Sequence, residues 1–194
     1  MRVLVGCEFS GVVRRAFREL GHDAWSCDIL PASDDSPHHL HRDVRDVLSD
    51  GWDVAVFHPP CTHLAVSGAR YFASKVREQA EALDFVRRLL DAPIPRIALE
   101  NPVSVISSRI RKPDQIVQPW QFGHPESKTT CLWLKGLPPL RHTDVLPEPS
   151  CGYWSNQTPS GQNKLGPSPQ RAALRATTYA GIAAAMADQW GGVR

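Results

Sequence analysis

Cys61 is the residue whose type and position most directly suggest chemistry. It follows Pro59 and Pro60, which come just after the apolar run 53–57. Each proline fixes its own φ and lacks an N–H donor, so two in succession make a rigid backbone that would hold the thiol in one place. A thiolate is a strong nucleophile, whereas a cysteine outside a disulfide is most often a buried and inert side chain. The position therefore predicts a nucleophile or a buried inert thiol.

Glu100 and Asn101 form the second candidate group. They follow the apolar segment 96–99 and precede Pro102. A carboxyl group at the end of a buried strand is expected to lose solvent, which raises its pKa and lets it donate a proton near neutral pH. A turn or a helix cap uses the same residue types. The segment predicts a proton donor that meets Cys61 if the two strand ends are neighbours.

A glycine-containing turn follows the first apolar segment. Residues Gly6–Gly11 match neither the G-x-G-x-x-G pattern nor the P-loop pattern, so a standard dinucleotide or P-loop site is not predicted. Asp28 comes roughly twenty residues beyond this turn, where an acid in nucleotide-binding folds bonds the ribose hydroxyls. An ordinary strand-to-helix turn and a turn-forming Asp explain the same residues.

His58 and His63 flank Cys61 and suggest a metal site. Zinc takes three or four ligands, and the remaining Cys and His residues are scattered without paired spacing. We expect no metal. Either imidazole could instead lower the pKa of the thiol or bond to backbone.

The elements that must position these groups alternate between strand and helix. Such alternation predicts an α/β fold with a mostly parallel sheet and helices on both faces, because parallel neighbours need crossover connections. In such sheets ligands bind beyond the carboxyl ends of the strands, where the residues named above lie. The predicted strands are 2–6, 23–28, 53–57, 96–99 and 129–134, and the predicted helices are 12–20, 74–90 and 179–190.

The last third of the chain is richer in proline than the rest, and part of it also holds several glycines. Ten of the 17 prolines lie from Pro113 onward, and 138–169 also holds three glycines. We expect one catalytic domain over 1–194, with a functional loop, a partly mobile arm or a reduced recognition region at about 138–175.

Composition excludes several classes. Five cysteines without a C-x-x-C pair argue against a disulfide framework, and no apolar run approaches the roughly 20 residues of a membrane span. The apolar residues before Cys7 are too few for a signal peptide. The formal charge of +2 neither requires nor excludes a nucleic-acid partner. We expect a cytoplasmic protein with no membrane partner.

The order of the motifs resembles that of the DNA cytosine-5 methyltransferase family. Pro59-Pro60-Cys61 resembles its Pro-Cys motif, which carries the nucleophile, and Glu100-Asn101 resembles its Glu-Asn motif, which holds the cytosine. Gly181–Trp190 resembles its terminal helix beside the cofactor, more weakly. The resemblance implies a Rossmann-like fold, S-adenosylmethionine as cofactor and Cys61, Glu100 and Asn101 as catalytic residues. The cofactor-binding residues that it implies are Phe9, Ser10, Gly11, Asp28, Asp43 and Pro59.

The resemblance also implies contacts with DNA, double- or single-stranded. The family's pyrimidine-contacting motif has no clean match, and Lys128-Thr129-Thr130 best takes its place. Tyr153 and Trp154, in a polar loop, could stack on unpaired bases. The expected substrate-binding residues are His63, Arg109, Arg111, Lys128, Thr129, Tyr153 and Trp154, and Lys112, Lys164, Arg171 and Arg175 are further candidates for backbone contacts.

Several departures separate this chain from the family pattern. Cys7 stands where the family has an acid, His58 replaces a small residue, and the large target-recognition domain is absent. The pattern is closest to short members that are often phage-borne, and a partner protein could supply recognition.

The implied reaction is addition of Cys61 to C6 of cytosine while Glu100 holds N3, followed by methyl transfer to C5. Two alternatives remain open: C5 modification of a pyrimidine nucleotide or RNA base, and a non-catalytic nucleic-acid-binding subunit of a modification complex.

Overall fold

Within the residues that the structure describes, seven strands and four α-helices are present. The computed structural model describes residues 1–166, 168 and 176–192. The strands are β1 (Arg2–Gly6), β2 (Asp23–Asp28), β3 (His39–His41), β4 (Val54–Phe57), β5 (Arg96–Asn101), β6 (Gln115–Val117) and β7 (Thr130–Lys135). The helices are α1 (Val12–Glu19), α2 (Val76–Leu90), α3 (Ile106–Arg109) and α4 (Ala180–Gly191), and 3-10 segments cover Val44–Val47, Val66–Ser74 and Pro119–Gln121.

The strands form one sheet in the order β3-β2-β1-β4-β5-β7-β6. The first five strands along the chain are parallel. They form the pairs β2–β3, β1–β2, β1–β4 and β4–β5. The chain moves outward from β1 to β3 and then returns to the other side of β1 with β4, so the strand order reverses between β1 and β4. The prediction of a mostly parallel α/β sheet is confirmed.

Two apolar cores lie on the two faces of this sheet. Successive side chains of a strand point to opposite faces. Val3 and Val5 of β1 therefore pack with α1 and α4, whereas Leu4 packs with α2 on the other face. Trp190 of α4 is fully buried in the first core. Helices on both faces are confirmed.

An antiparallel hairpin-like edge completes the sheet beyond β5. β7 runs antiparallel to both β5 and β6, and its register places Leu132 opposite Glu100 and Cys131 opposite Asn101. β7 and α4 agree with their predicted segments. β3 and β6 were not predicted, because three residues are too few to show a periodicity.

The described part of the predicted loop at 138–175 is docked on the body of the protein. Ser127 and Asn156 exchange two hydrogen bonds, from the Ser127 amide to Oδ1 at 3.0 Å and from Nδ2 to the Ser127 carbonyl at 2.9 Å. The Trp154 ring stacks on Trp120 with centroids 5.7 Å apart. Residues 167 and 169–175, including Arg171 and Arg175, lie outside the described residues.

No helix among the described residues is long and apolar enough to cross a membrane.

Candidate functional site

The carboxyl ends of β1, β4 and β5 lie side by side. The turn 7–11 follows β1, the segment 58–63 follows β4, and Glu100 and Asn101 are the last two residues of β5. A reversal of strand order opens a crevice at the carboxyl ends of an α/β sheet, which is where such folds bind ligands. The predicted convergence of the three motifs is confirmed.

The segment that carries Cys61 is tied to both neighbouring strands. The His58 amide donates to the Gly6 carbonyl at 3.0 Å, which continues the pairing with β1 beyond β4. Asn101 donates from Nδ2 to the Pro59 carbonyl at 2.9 Å, and both residues are buried. The backbone before Cys61 is therefore fixed from two sides.

The chain reverses direction immediately after Cys61. The Cys61 carbonyl accepts from the amides of Leu64, at 3.0 Å, and Ala65, at 2.9 Å, and this turn leaves the Cys61 side chain exposed. The alternative of a buried, inert thiol is therefore wrong for this cysteine. An exposed thiol on a fixed backbone is suited to attack a bound substrate.

Glu100 pairs with His58 inside the crevice. His58 Nδ1 lies 3.3 Å from Glu100 Oε2, and the side chains are 7% and 15% exposed. The Nδ1 proton is assigned from this contact, because an ionised carboxylate can only accept hydrogen bonds.

The environment of Glu100 favours its ionised form. Burial raises the pKa of the Glu100 carboxyl, but the hydrogen bond from His58, the charge of Lys128 and a hydrogen bond with Thr130 together outweigh burial and hold the pKa below its ordinary value. The expectation of a raised pKa is therefore wrong for the protein without substrate. Sequence reasoning counted the loss of solvent and could not count the partners that the fold supplies.

Lys128 and Thr130 approach Glu100 from the start of β7. Lys128 Nζ also lies 5.7 Å from the centre of the Tyr179 ring, just before α4. The Tyr179 hydroxyl donates to Glu126 at 2.5 Å. The structure thus brings Lys128 into electrostatic range of Glu100. It also brings Thr130, the last residue of the segment Lys128-Thr129-Thr130, which was not among the expected substrate-binding residues.

Unpartnered polar atoms concentrate around this crevice. Among the described residues, the buried side-chain atoms without a hydrogen-bond partner include His58 Nε2, His63 Nδ1, Asn101 Oδ1 and Ser104 Oγ. Such atoms are rare in folded proteins because each costs free energy when it is buried. These atoms belong to the segments 58–63 and 101–104 at the ends of β4 and β5, so they are available to bond a ligand there.

The turn after β1 is organised by an acid that the sequence left unassigned. Glu8 is 5% exposed, and its carboxylate accepts from the amides of Val13, at 2.7 Å, and Arg14, at 3.3 Å. These amides belong to the first turn of α1, whose N–H groups lack helical partners. Glu8 therefore caps α1.

Phe9, Ser10 and Gly11 form the rest of this turn. The Phe9 carbonyl accepts from the Ser33 amide at 2.9 Å, so the segment after β2 packs on the turn. Gly11 has φ 70°, and a Cβ there would lie 2.3 Å from Arg14 Nη2. The fold thus requires glycine at this position.

Asp28 is the last residue of β2, and Asp43 lies just beyond the end of β3. Both carboxylates act on the half-buried Cys7 thiol: loss of solvent raises the pKa of Cys7 first, and the charges of Asp28 and Asp43 raise it further. Asp28 Oδ1 accepts from the Leu30 amide at 2.9 Å, and Asp43 accepts from Arg45 Nε at 2.9 Å. The hydrogen bond from Arg45 lowers the pKa of Asp43.

Two exposed apolar side chains next to Asp28 were missed by sequence reasoning. Ile29 is 71% exposed and Leu30 is 50% exposed. An apolar surface beside a carboxylate suits a nucleoside, because the base packs on the apolar group while the carboxylate bonds the ribose hydroxyls. The signal in the sequence is an apolar pair directly after a strand-ending Asp.

Other predicted substrate residues lie apart from the crevice or have partners elsewhere. Arg111 donates to Asp114 at 2.6 Å and to the Leu134 carbonyl at 2.8 Å. Leu134 pairs with the β5 residue two positions before Glu100. Arg109 is exposed at the end of α3. Thr129 Oγ1 accepts from Gln118 Nε2 at 2.8 Å. The structure does not bring Arg109 and Arg111 to Cys61.

Tyr153 and Trp154 lie on the docked loop. Trp154 stacks on Trp120, and Lys164 Nζ lies 6.0 Å from the Tyr153 ring centre. Within the described ranges, no three His, Cys, Asp or Glu side chains gather as metal ligands would.

Comparison with known proteins bears on the fold. No protein-family model and no curated protein matches the chain. A candidate DNA modification methyltransferase encoded within a prophage of E. coli superposes with a TM-score of 0.52 at 14% identity, over 78% of this chain and 53% of that one. DNMT2 from Spodoptera frugiperda, in a mutant form, superposes with a TM-score of 0.44 at 17% identity, over 75% and 54%.

The first of these structures identifies the architecture. The chain shares a Rossmann-like fold with that structure. It spans about half the length of the two solved structures.

Proposed function

We propose that this chain is an S-adenosylmethionine-dependent methyltransferase that acts on C5 of cytosine in DNA, with Cys61 as covalent nucleophile. The observation that carries the proposal is the link between Cys61 and the end of β5. The exposed thiol stands on a backbone that Asn101 holds, and the residue before Asn101 is the carboxyl group of Glu100. A nucleophile and a ring-binding acid thus share one rigid frame.

The chemistry of cytosine requires both groups. The Cys61 thiolate adds to C6, and Glu100 in its protonated form donates to N3, which draws electrons from the ring. Electron density then rises at C5, the atom that would take the methyl group while the S–CH3 bond of the sulfonium would break and leave a neutral thioether. Loss of the C5 proton to a base and departure of Cys61 Sγ from C6 restore the aromatic ring. A thiol suits both addition and departure because it is a strong nucleophile and a competent leaving group.

Lys128 and His63 are proposed to contact the pyrimidine. Lys128 carries a positive charge within range of Glu100, where the carbonyl oxygen of the ring gathers negative charge during addition. His63 Nδ1 is buried without a partner two residues after Cys61. Thr129 lies next to Lys128 and is bonded to Gln118, so its proposed contribution is to hold the turn before β7.

The residues present fit S-adenosylmethionine. Its sulfonium supplies an electrophilic methyl group when bound. Phe9, Ser10 and Gly11 at the end of β1 would face its methionine part, and Pro59 would border the sulfonium. Asp28 beside the exposed Ile29 would take the ribose, and Asp43 would take the adenine. Asp43 is partly committed to Arg45, so adenine would share that carboxylate.

DNA is proposed as the polymer that carries the cytosine. A base inside a duplex cannot reach Cys61, so a double-stranded substrate requires extrusion of the nucleotide, whereas single-stranded DNA avoids that cost. Tyr153 and Trp154 are proposed to stack on unpaired bases, and Arg109 and Arg111 to contact phosphates farther along the strand.

A uracil-type ring, in a nucleotide or RNA, is the second candidate. The observation in its favour is the lowered pKa of Glu100. An ionised carboxylate accepts a hydrogen bond from the N3–H of uracil, whereas neutral cytosine has an acceptor at N3 and needs a protonated acid.

The test is product analysis. The purified protein is incubated with S-adenosylmethionine and with double-stranded DNA, single-stranded DNA, RNA or mononucleotides, and the products are digested and measured by mass spectrometry. We expect 5-methyldeoxycytidine with the wild-type protein and with Cys151→Ala, which removes another exposed cysteine, and none with Cys61→Ala. Product that persists in Cys61→Ala contradicts the mechanism, and a methylated uracil selects the second candidate.

A further inference from the structure

The proposed reaction assigns no role to His58, although its ring contacts Glu100 in the crevice. His58 follows β4 directly, and its side chain lies on the same sheet face as that of Glu100, across the parallel β4–β5 pair. The His58 side chain is only 7% exposed, and its Nδ1 atom lies 3.3 Å from Glu100 Oε2. A polar side chain buried this far is costly unless its hydrogen bonds serve the structure or a ligand.

We propose that His58 is a positioning residue for Glu100. The Nδ1–H of His58 holds Oε2 of Glu100, so that Oε1 carries the proton that is donated to the pyrimidine. This inference rests on the proposed function. His58 orients the carboxyl group of Glu100, whereas Glu100 binds the ring and Cys61 makes the nucleophilic attack.

The two oxygens of the Glu100 carboxyl group have different neighbours, because His58 contacts Oε2. A carboxylic acid has one O–H, and it can donate to N3 only if that O–H is on the oxygen that faces the ring. An N–H that already donates to Oε2 makes protonation of Oε2 unfavourable, because two hydrogens would then compete for the same contact. The contact with His58 therefore leaves Oε1 as the protonated oxygen.

The surroundings of His58 support a single, fixed tautomer. Nε2 is buried and has no hydrogen-bond partner among the described residues. In the neutral ring, a proton on Nε2 in place of Nδ1 would be buried without an acceptor, which costs free energy. The ring therefore keeps its proton on Nδ1, where Glu100 accepts it.

The groups that face Glu100 from the other side do not replace this contact. Lys128 supplies charge, and the Thr130 hydroxyl forms a further hydrogen bond. The Cys131 thiol, on β7, has its pKa raised by burial and then by the charge of Glu100. Within the described chain, these groups and His58 are the titratable or hydrogen-bonding neighbours that act on this carboxyl.

The test compares two substitutions of similar size. Asparagine at position 58 can present an amide N–H from about the place of Nδ1 without titrating, whereas leucine has no donor. We expect His58→Leu to lower kcat for cytosine methylation about 10- to 100-fold, which corresponds to the loss of one hydrogen bond to a charged group. We expect His58→Asn to stay within about fivefold of wild type, and the KM for S-adenosylmethionine to change little in either variant.

Three outcomes overturn the proposal. His58→Leu with a wild-type kcat shows that the contact does not matter, and equal losses in both variants show that a donor at this place is insufficient. A rise in the KM for S-adenosylmethionine at unchanged kcat places His58 in cofactor binding instead. His58→Ala replaces the leucine variant if leucine does not fold, as judged by Tm. Absence of methylated product from the wild-type protein is a failure of the proposed function, which this comparison identifies separately.

Discussion

Asn101 joins the end of β5 to the segment that carries Cys61, through a 2.9 Å hydrogen bond from Nδ2 to the Pro59 carbonyl. Pro59 and Pro60 have no N–H of their own, so this part of the backbone cannot be held by donors from within the segment. The carbonyl of Pro59 is the group left for an anchor, and Asn101 is 1% exposed. The relation gives the Asn of the Glu-Asn pair a structural task next to the proposed catalytic one.

Asn101→Ala tests this anchor. Removal of the amide leaves the Pro59 carbonyl buried without its donor, which costs about 1–3 kcal/mol. For a chain of this size we expect Tm to fall by roughly 2–4 °C per kcal/mol, and kcat to fall at least tenfold because the thiol is no longer held in place. Asn163→Ala, at an exposed position, is the control and should leave both quantities unchanged. Wild-type kcat in Asn101→Ala would show that the segment needs no anchor.

Gly11→Ala tests the turn after β1 against a matched glycine. Gly11 and Gly21 flank α1 and both have positive φ, 70° and 80°, but a Cβ at Gly21 has nothing within 4 Å whereas one at Gly11 meets Arg14. A left-handed conformation costs an L-residue about 1–2 kcal/mol in both places. We therefore expect Gly11→Ala to lower Tm more than Gly21→Ala and to weaken S-adenosylmethionine binding in calorimetry. Equal effects on Tm would show that Arg14 yields without cost.

Proton uptake on substrate binding follows from the lowered pKa of Glu100. The carboxyl is ionised in the protein alone, since its pKa lies below the ordinary value, and it must be protonated to donate to N3 of cytosine. Binding of a cytosine-containing oligonucleotide therefore takes up one proton, and affinity falls as pH rises from 6 to 8. The measurement uses Cys61→Ala, so that thiol ionisation does not contribute, with calorimetry in buffers of different ionisation enthalpy.

Two comparisons complete this pH experiment. Glu100→Gln should bind without proton uptake, because its amide already carries a donor. A uracil-containing oligonucleotide should also bind without uptake, because its N3–H meets the ionised form. Cytosine binding that is independent of pH and of buffer would contradict the role given to Glu100.

Trp154→Ala tests how the described part of the Pro-rich region is held. Trp154 stacks on Trp120, an interaction worth about 0.5–1.5 kcal/mol beyond the buried area. Trypsin cleavage after Lys164 should accelerate about 3- to 10-fold in this variant if cleavage follows local opening. Tyr153→Ala, which loses only the contact with Lys164, should change the rate less. An unchanged rate in Trp154→Ala would show that this stacking does not hold the loop.

The parallel half of the sheet could be predicted from the sequence because its strands are short apolar runs separated by amphipathic helices. β1, β4 and β5 each end at a change from apolar to polar residues, and these changes also mark the site. The strand order does not follow from the pattern, but parallel pairing places every carboxyl end at the same edge. Cys61, Glu100 and Asn101 are therefore expected at the same edge, and they meet because β4 and β5 are neighbours in the sheet.

Contacts between distant segments could not be predicted in the same way. The direction of the Glu100 pKa depends on His58, Lys128 and Thr130, which are 42, 28 and 30 residues away along the chain. The docking of Asn156 on Ser127 likewise joins two polar segments that have no periodic signal. Composition indicates that such segments are irregular, and tertiary contacts decide where they lie.

A covalent adduct at Cys61 is the most direct test of the central claim. An oligonucleotide with 5-fluorodeoxycytidine can undergo addition at C6 and methyl transfer, but fluorine cannot leave C5 as the proton does, so the protein stays attached. With S-adenosylmethionine present, intact-mass measurement should show protein plus one methylated oligonucleotide, with the link mapped to Cys61, and no adduct in Cys61→Ala. A methylated cytosine product without any adduct, or an adduct at another cysteine, would contradict the account.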